Sequence, residues 1–404
     1  MNYIDRLVAE LCPDGVEYRP LGDVVEYAKK REKDGAGVQL YVGVENLKSD
    51  FLGCSPVSGS KGGIIFQKDD ILLGNIRPYL KKMWISNTEG VSSPDVLVLR
   101  IQENEKENMV AKYLYYVLSS GKFVAYNISH SRGGKMPRGN KAKILEFELP
   151  IPPLEIQEAI VEILDKFTNL EAELEAELEA RTLQYEYYRD SLFEALDCPR
   201  VPLGELGKFY GGLKGKTKND FGSSGARYIS YKNVYENISA DFTWPDFVQV
   251  KEGENQLSLM KGDILLTGSS ENMEEAGLSS VVTKEPEEKA YLNSFSICYR
   301  LNDPNILNPE FSKYLFRSRL ARKQIIRTAQ GVTRFNVSKK KLANVSIPIP
   351  SLEEQQRIVD ILDRFDALTT SLSEGLPAEL AARRSQYEYY RDQLLTFPRK
   401  GENQ

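Results

Sequence analysis

The seven residues QYEYYRD stand at 184–190 and again, letter for letter, at 386–392. A duplication of this kind constrains the fold more than any composition can. Two copies of one segment in a chain of 404 residues predict two similar bodies, each ending in the same joint. Upstream lies a second match: LPIPPLEIQEAIVEILDKF (149–167) is similar to IPIPSLEEQQRIVDILDRF (347–365). Pro150, Pro152, Leu154, Gln157, Ile160, Val161, Leu164, Asp165 and Phe167 recur 198 residues later. The heptad recurs at 202, so the second copy holds four extra residues between the two matches.

Each copy begins with a Pro-x-Pro stretch unsuited to helix and continues with helical periodicity. Ile156, Ile160, Ile163, Leu164, Phe167, Leu170 and Leu174 fall three or four apart, which places them on one helix face. No helix breaker stands between Glu155 and Leu196, so this helix should run for about 60 Å. Leucines recur every fourth residue at 170, 174 and 178, and in the second copy at 368, 372, 376 and 380. Four added residues lengthen a helix by about 6 Å and rotate the downstream turns by only about 40°. The element is thus able to change length while keeping its stripe. In the second copy Gly375 and Pro377 should weaken or kink the helix near its middle.

The intervening blocks correspond more faintly. RPLGDV (19–24) matches VPLGEL (201–206), and DDILLGN (69–75) matches GDILLTG (262–268). VLVLRI (96–101) and SICYRL (296–301) are strand candidates, while 112–123 and 313–324 read as helices. Each block passes through a Gly-containing basic loop, SRGGKMPRGNKAK (131–143) or AQGVTRFNVSKKK (329–341), into its Pro-x-Pro stretch. The N-terminal helix YIDRLVAEL (3–11) echoes YRDSLFEAL (188–196), so the halves should join as a ring with neighbouring termini.

Charge has the same organisation. The net charge of −5 resolves into +2 for 1–150, −10 for 151–197, +6 for 198–350 and −3 for 351–404. Two mildly basic blocks therefore alternate with acidic helices, and an anion-binding surface is compatible with an acidic chain. No apolar run reaches the length of a membrane span. The N-terminus lacks the layout of a signal peptide. Four scattered cysteines without a C-x-x-C pair indicate neither a disulfide framework nor zinc, and a reducing cytoplasm fits.

The duplicated Pro-x-Pro helices, the repeated QYEYYRD, the paired PLG-(D/E) starts and the opening LCPDGVEYRPLG resemble the specificity subunit of type I restriction–modification systems. The leucine-paced tetrads and SEGLPAEL resemble the branch whose spacer helices carry tetrapeptide repeats. The resemblance covers essentially the whole chain. It implies an α+β fold in which two mixed α/β target-recognition domains alternate with two long antiparallel coiled-coil helices, in a pseudo-twofold, circular arrangement. The expected boundaries are an N-terminal helix in 1–18, a recognition domain in 19–152 and a spacer helix in 153–198. A second domain occupies 199–350, a second helix 351–397 and a tail 398–404.

The resemblance further implies a subunit without catalytic activity of its own. It would bind double-stranded DNA, two methyltransferase (modification) subunits and the motor-nuclease (restriction) subunits. S-adenosylmethionine, ATP and magnesium would belong to those partners, with no cofactor or metal in this chain. Two heads on a rigid spacer suit successive major-groove faces, with an asymmetric split target and roughly six to eight base pairs between its parts. The alternative is a coiled-coil scaffold that organises protein partners.

Arg132, Lys135 and Arg138, interleaved with glycines, lead the candidate DNA contacts in the first block. Arg334 and Asn336 are their counterparts in the second. Lys214, Lys216 and Lys218 lie on a Gly-rich loop that is no Walker A motif, because the position of its first glycine is Tyr210. Candidates for base-edge readout are Asn75, Arg77, Tyr79 and Lys81, then Tyr231, Lys232 and Asn233, then Ser269 and Asn272. Ile156, Ile160, Leu164, Phe167, Ile358, Leu362 and Phe365 are candidates for meeting partner proteins. The heptad tyrosines read as packing residues at a joint. A single histidine, His130, excludes His-based triads and multi-histidine metal sites, and the Asn/Asp-Pro-Pro-aromatic motif of amino-methyltransferases is absent.

Overall fold

A computed structural model describes residues 3–35, 37–369 and 375–401. The chain divides into two compact units, Met1–Glu175 with Glu379–Gln404, and Ala176–Ala378. Each is an α+β body with a buried antiparallel four-stranded sheet. In the first unit the strand order is Val25–Tyr27, Val96–Ile101, Ile71–Gly74, Met83–Ile85. In the second it is Gly207–Gly211, Ser296–Leu301, Ile264–Thr267, Ser279–Val281. The central rungs correspond, Val98 facing Leu72 and Cys298 facing Leu265. Their hydrophobic runs are continuous because both faces are covered. A charged pair sits at the same place in each sheet: Arg100 with Asp70 at 2.5 Å and Arg300 with Asp263 at 2.6 Å.

The first Pro-x-Pro stretch forms a strand, Glu148–Ile151, that pairs with Glu17–Pro20. The second, Ser346–Pro348, pairs with Arg200–Pro202. Both strands lead into helices. The first helix, Leu154–Glu194, is unbroken over 41 residues, as the absence of breakers predicts. The second copy is described as two helices, Leu352–Thr369 and Gly375–Leu394. Gly375 takes φ +77°, and an added Cβ would stand 2.7 Å from the carbonyl oxygens of Ala367 and Leu368. Pro377 falls in the first turn of its helix, where its missing N–H removes no helical bond. Leu372 lies outside the described residues.

The repeated glutamine of each helix is fully buried and ties the helix to its domain. Gln157 donates to the carbonyls of Asn108 and Pro152 and accepts from the Val110 N–H. Gln355 does the same with Ile306, Pro350 and Asn308. Further along each helix, Asp165 accepts from the Tyr116 hydroxyl and Asp363 from that of Tyr314, both at 2.6 Å. The segments 112–123 and 313–324, expected as single helices, are each two. Ser120 and Ser318 leave helical geometry and cap the second member, accepting from Phe123 N–H and Ala321 N–H.

The heptads perform the same task in both units. Tyr390 stacks on Phe167 with ring centroids 5.6 Å apart, and Tyr188 stacks on Phe365 at 5.5 Å. Arg391 covers the Tyr387 ring and Arg189 the Tyr185 ring. In the first unit the ends of the chain meet: Val16 N–H donates to Pro398 O, and Lys400 N–H donates to Val16 O. Gly15, at φ +91°, allows this approach, since a Cβ there would lie 2.7 Å from the Arg399 backbone.

Candidate nucleic-acid interface

In the first unit the strand Ile71–Gly74 ends at Asn75, and the basic loop folds back over that end. Gly139 N–H donates to Asn75 O at 3.1 Å and Arg77 N–H to Pro137 O at 2.7 Å. Arg132 and Arg138 exchange two backbone hydrogen bonds of 2.8 Å, and Ile76 bridges Arg138. A Cβ at Gly139 would stand 2.8 Å from Asn75 Oδ1 and 2.9 Å from Asn127 Oδ1, so a larger residue there would have to push those amides aside. Arg132, Lys135, Arg138 and Arg77 are thereby gathered at one exposed edge. Arg77 and Lys81 adopt left-handed backbone at φ +52° and +49° around the turn Pro78–Leu80, and this leaves Tyr79 51% exposed.

Two candidates of this block are engaged within the unit, one by burial and one by surface carboxylates. Asn75 is buried behind Gly139. Lys81 is drawn to Asp50 and Glu388, at 3.5 and 3.9 Å, within the same unit.

The second unit builds the corresponding edge from three short strands, Ser269–Ser270, Phe335–Val337 and Ala329–Gln330. Gly331 (φ +142°) makes the turn that brings the last two together. Arg334 donates Nη2 to Ser269 Oγ at 3.2 Å, and Tyr231 donates its hydroxyl to Ser269 O at 2.7 Å. Burial raises the Tyr231 hydroxyl above its ordinary pKa, so it stays a proton donor. Asn336 is exposed beside Arg334. Lys214 and Lys339 are close enough that the Lys214 charge adds to burial in depressing the Lys339 ammonium. That crowding of cations suits an anionic partner.

Other candidates here hold the domain together. Lys216 forms an ion pair with Glu254 at 2.6 Å and its side chain is 5% exposed. Asn233 is fully buried, donating to Asp241 O and accepting from Asp241 N–H and from Asn237. Asn272 caps the turn Met273–Glu275 through Glu274 N–H. Lys218 and Lys232 remain exposed, Lys232 within 3.6 Å of Glu236.

The residues expected to meet partner proteins are corrected more sharply. Ile156, Ile160 and Leu164 are fully buried in the core of the first unit, as are Ile358 and Leu362 in the second. Phe167 and Phe365 are taken up by the heptad tyrosines. Helical periodicity marks an apolar face without saying whose surface covers it. Phe295 and Asp95, which flank the two edges, escaped sequence reasoning. Their signal was present in the position just before the matched strands 96–101 and 296–301.

Among the described residues no cluster of three or more His, Cys, Asp or Glu could hold a metal ion. Nor, among those residues, is any helix long and apolar enough to cross a membrane.

Two basic, polar edges on duplicated α+β bodies, each tied to a long helix by the same buried glutamine, define a doubled recognition protein. The family model for the type I restriction modification DNA specificity domain matches residues 13–180 and again 198–382. The chain belongs to this family. It is 32% identical over 429 residues to the EcoR124I/EcoR124II specificity subunit of Escherichia coli, covering 99% of this chain and 98% of the relative. A putative type I specificity subunit of Haemophilus influenzae is 30% identical over 414 residues, covering 95% and 96%. A chain solved in work on the complex assembly and conformational transition of the type I R-M system shares the fold. Its TM-score is 0.63 at 18% identity, over 94% of this chain and 97% of that one.

Proposed function

We propose that this chain is the DNA-reading subunit of a type I restriction–modification complex. Each unit reads one part of a split duplex site in the major groove, and the helices set the spacing of the parts. The observation that carries this reading is the pair of exposed edges, made by the same three segments in both units but presenting different polar side chains. One scaffold displaying two sets of donors suits an asymmetric target. Phosphate contacts position such a protein, and Arg132, Lys135, Lys214 and Lys218 are the exposed cations for that role. The acidic middle of the first helix repels phosphate and is suited to contacts with protein.

In this account the chain performs no chemistry. Methyltransferase subunits dock on it and bring S-adenosylmethionine; motor-nuclease subunits bring ATP and magnesium. The assembly works in the cytoplasm. The test is the salt dependence of duplex binding by the chain together with its methyltransferase partner. A steep linear fall of log affinity with log salt supports the reading. Salt-insensitive association with proteins alone would favour the scaffold alternative.

A further inference from the structure

The registers of the two edges show which side chains stand at the same place. In the first unit Ile76 bridges Arg138, which bridges Arg132. In the second Ser269 pairs with Asn336, which pairs with Gln330. The sheet rungs extend the match: with Val98 equivalent to Cys298, Asp95 corresponds to Phe295. Both of these residues touch the arginine of their own edge. Asp95 lies 3.4 Å from Arg138 Nε, and the Phe295 ring centroid lies 6.0 Å from the Arg334 guanidinium. Counted from the bridges, Arg334 occupies the position of Met136. The arginine has moved two residues along the loop, and its support has changed from a carboxylate to a ring.

Several polar contacts of the frame repeat with the same residue types: Gln157 and Gln355, Tyr116 and Tyr314, Asp70–Arg100 and Asp263–Arg300. Divergence at one edge beside these repeated contacts is what a pair of reading heads requires. In the second unit that edge encloses a cleft of about 290 Å³ lined by Tyr231, Ser269, Ser270, Glu271, Phe295 and Arg334. Phe295 is 62% exposed and lines this cleft beside Arg334, so its ring face is open to whatever docks there. A guanidinium braced by a hydroxyl and a ring keeps its planar fork oriented. That fork matches the O6 and N7 acceptors of guanine, while Glu271 in the same cleft is an acceptor for the amino group of cytosine.

We propose that Arg334, braced by Ser269 and Phe295, reads the guanine of a G·C pair in the part of the target assigned to the second unit. Arg138, braced by Asp95, is its counterpart for the first. This deepens the DNA-reading function and rests on it.

The test uses the full chain, expressed with its methyltransferase partner, and maps methylated adenines across the host genome. Arg334→Ala and Arg334→Lys each lower discrimination at one guanine of one part of the motif by roughly five- to 160-fold, because a bidentate contact is worth about 1–3 kcal/mol. Phe295→Ala relaxes the same position. Arg138→Ala relaxes a position in the other part. An unchanged motif in both Arg334 variants, even at reduced overall methylation, marks a phosphate contact and overturns the proposal. Absence of any motif with the parent chain is a different result, since it defeats the DNA-reading function itself. Co-purification with the methyltransferase shows that each variant is folded. If Arg334→Ala fails to assemble, Arg334→Lys and Phe295→Ala decide.

Discussion

The Asp392 carboxylate accepts a hydrogen bond from the Gly121 backbone N–H at 3.1 Å. In the other unit Asp190 accepts from the Arg319 N–H at 2.8 Å. Both aspartates end the repeated heptad, and both cap the second helix of a pair whose first helix holds Tyr116 or Tyr314. The heptad is written twice because each recognition body needs one such joint. Asp190→Ala or Asp392→Ala should lower stability by about 1 kcal/mol, the usual worth of a cap, and asparagine should recover most of it. Denaturant midpoints measure this; unchanged midpoints in both alanine variants would show that the joint contributes nothing to stability.

The buried glutamines carry more. Gln157→Ala or Gln355→Ala strips a backbone N–H and carbonyls of their partners inside the core. The loss should be on the order of 2–4 kcal/mol. Thermal unfolding should show a lower transition in each variant. A shift as small as that of a surface substitution would mean that water replaces the amide.

Acid sensitivity arises from Arg19 and Glu105. The hydrogen bond from Arg19 lowers the Glu105 pKa below the ordinary carboxylate value. Its contribution is therefore complete above the unfolded carboxylate value of about 4.3 and is lost as pH falls through the depressed folded value. Glu105→Gln should be less stable than the parent at neutral pH, and the two should converge on acidification. A gap that stays constant down to about pH 3, below the unfolded carboxylate value, would contradict this.

Neighbouring lysines on one loop should behave oppositely. Lys218→Ala removes an exposed cation and should flatten the salt dependence of DNA binding by about one unit of slope, whatever the duplex sequence. Lys216→Ala breaks a nearly buried ion pair with Glu254 and should destabilise the second unit while leaving the slope unchanged. Titrations at several salt concentrations, paired with melting curves, separate the two.

Much of the architecture is legible in the residues. Repetition at 198 and 202 positions exposes two units, and unbroken periodicity after Pro152 yields the long helix Leu154–Glu194. The echo of residues 3–11 in 188–196 anticipates the meeting of Val16 with Pro398 and Lys400. Site residues are harder because polarity alone does not tell a contact from a brace. Asn233 and Lys216 have the right chemistry for DNA, yet their partners Asp241 and Glu254 lie 8 and 38 residues away and consume it. Phe295 was missed for the converse reason. Its value comes from standing under Arg334, which only the paired strands bring near.

The central claim is that two non-identical edges specify an asymmetric split target. Single-molecule methylation sequencing of a host expressing this chain with its methyltransferase partner tests it most directly, with a control lacking this chain. The account predicts N6-methyladenine in one bipartite, non-palindromic motif that appears only when this chain is present. The same motif in the control, or none in a host where both proteins are soluble and associated, would contradict it.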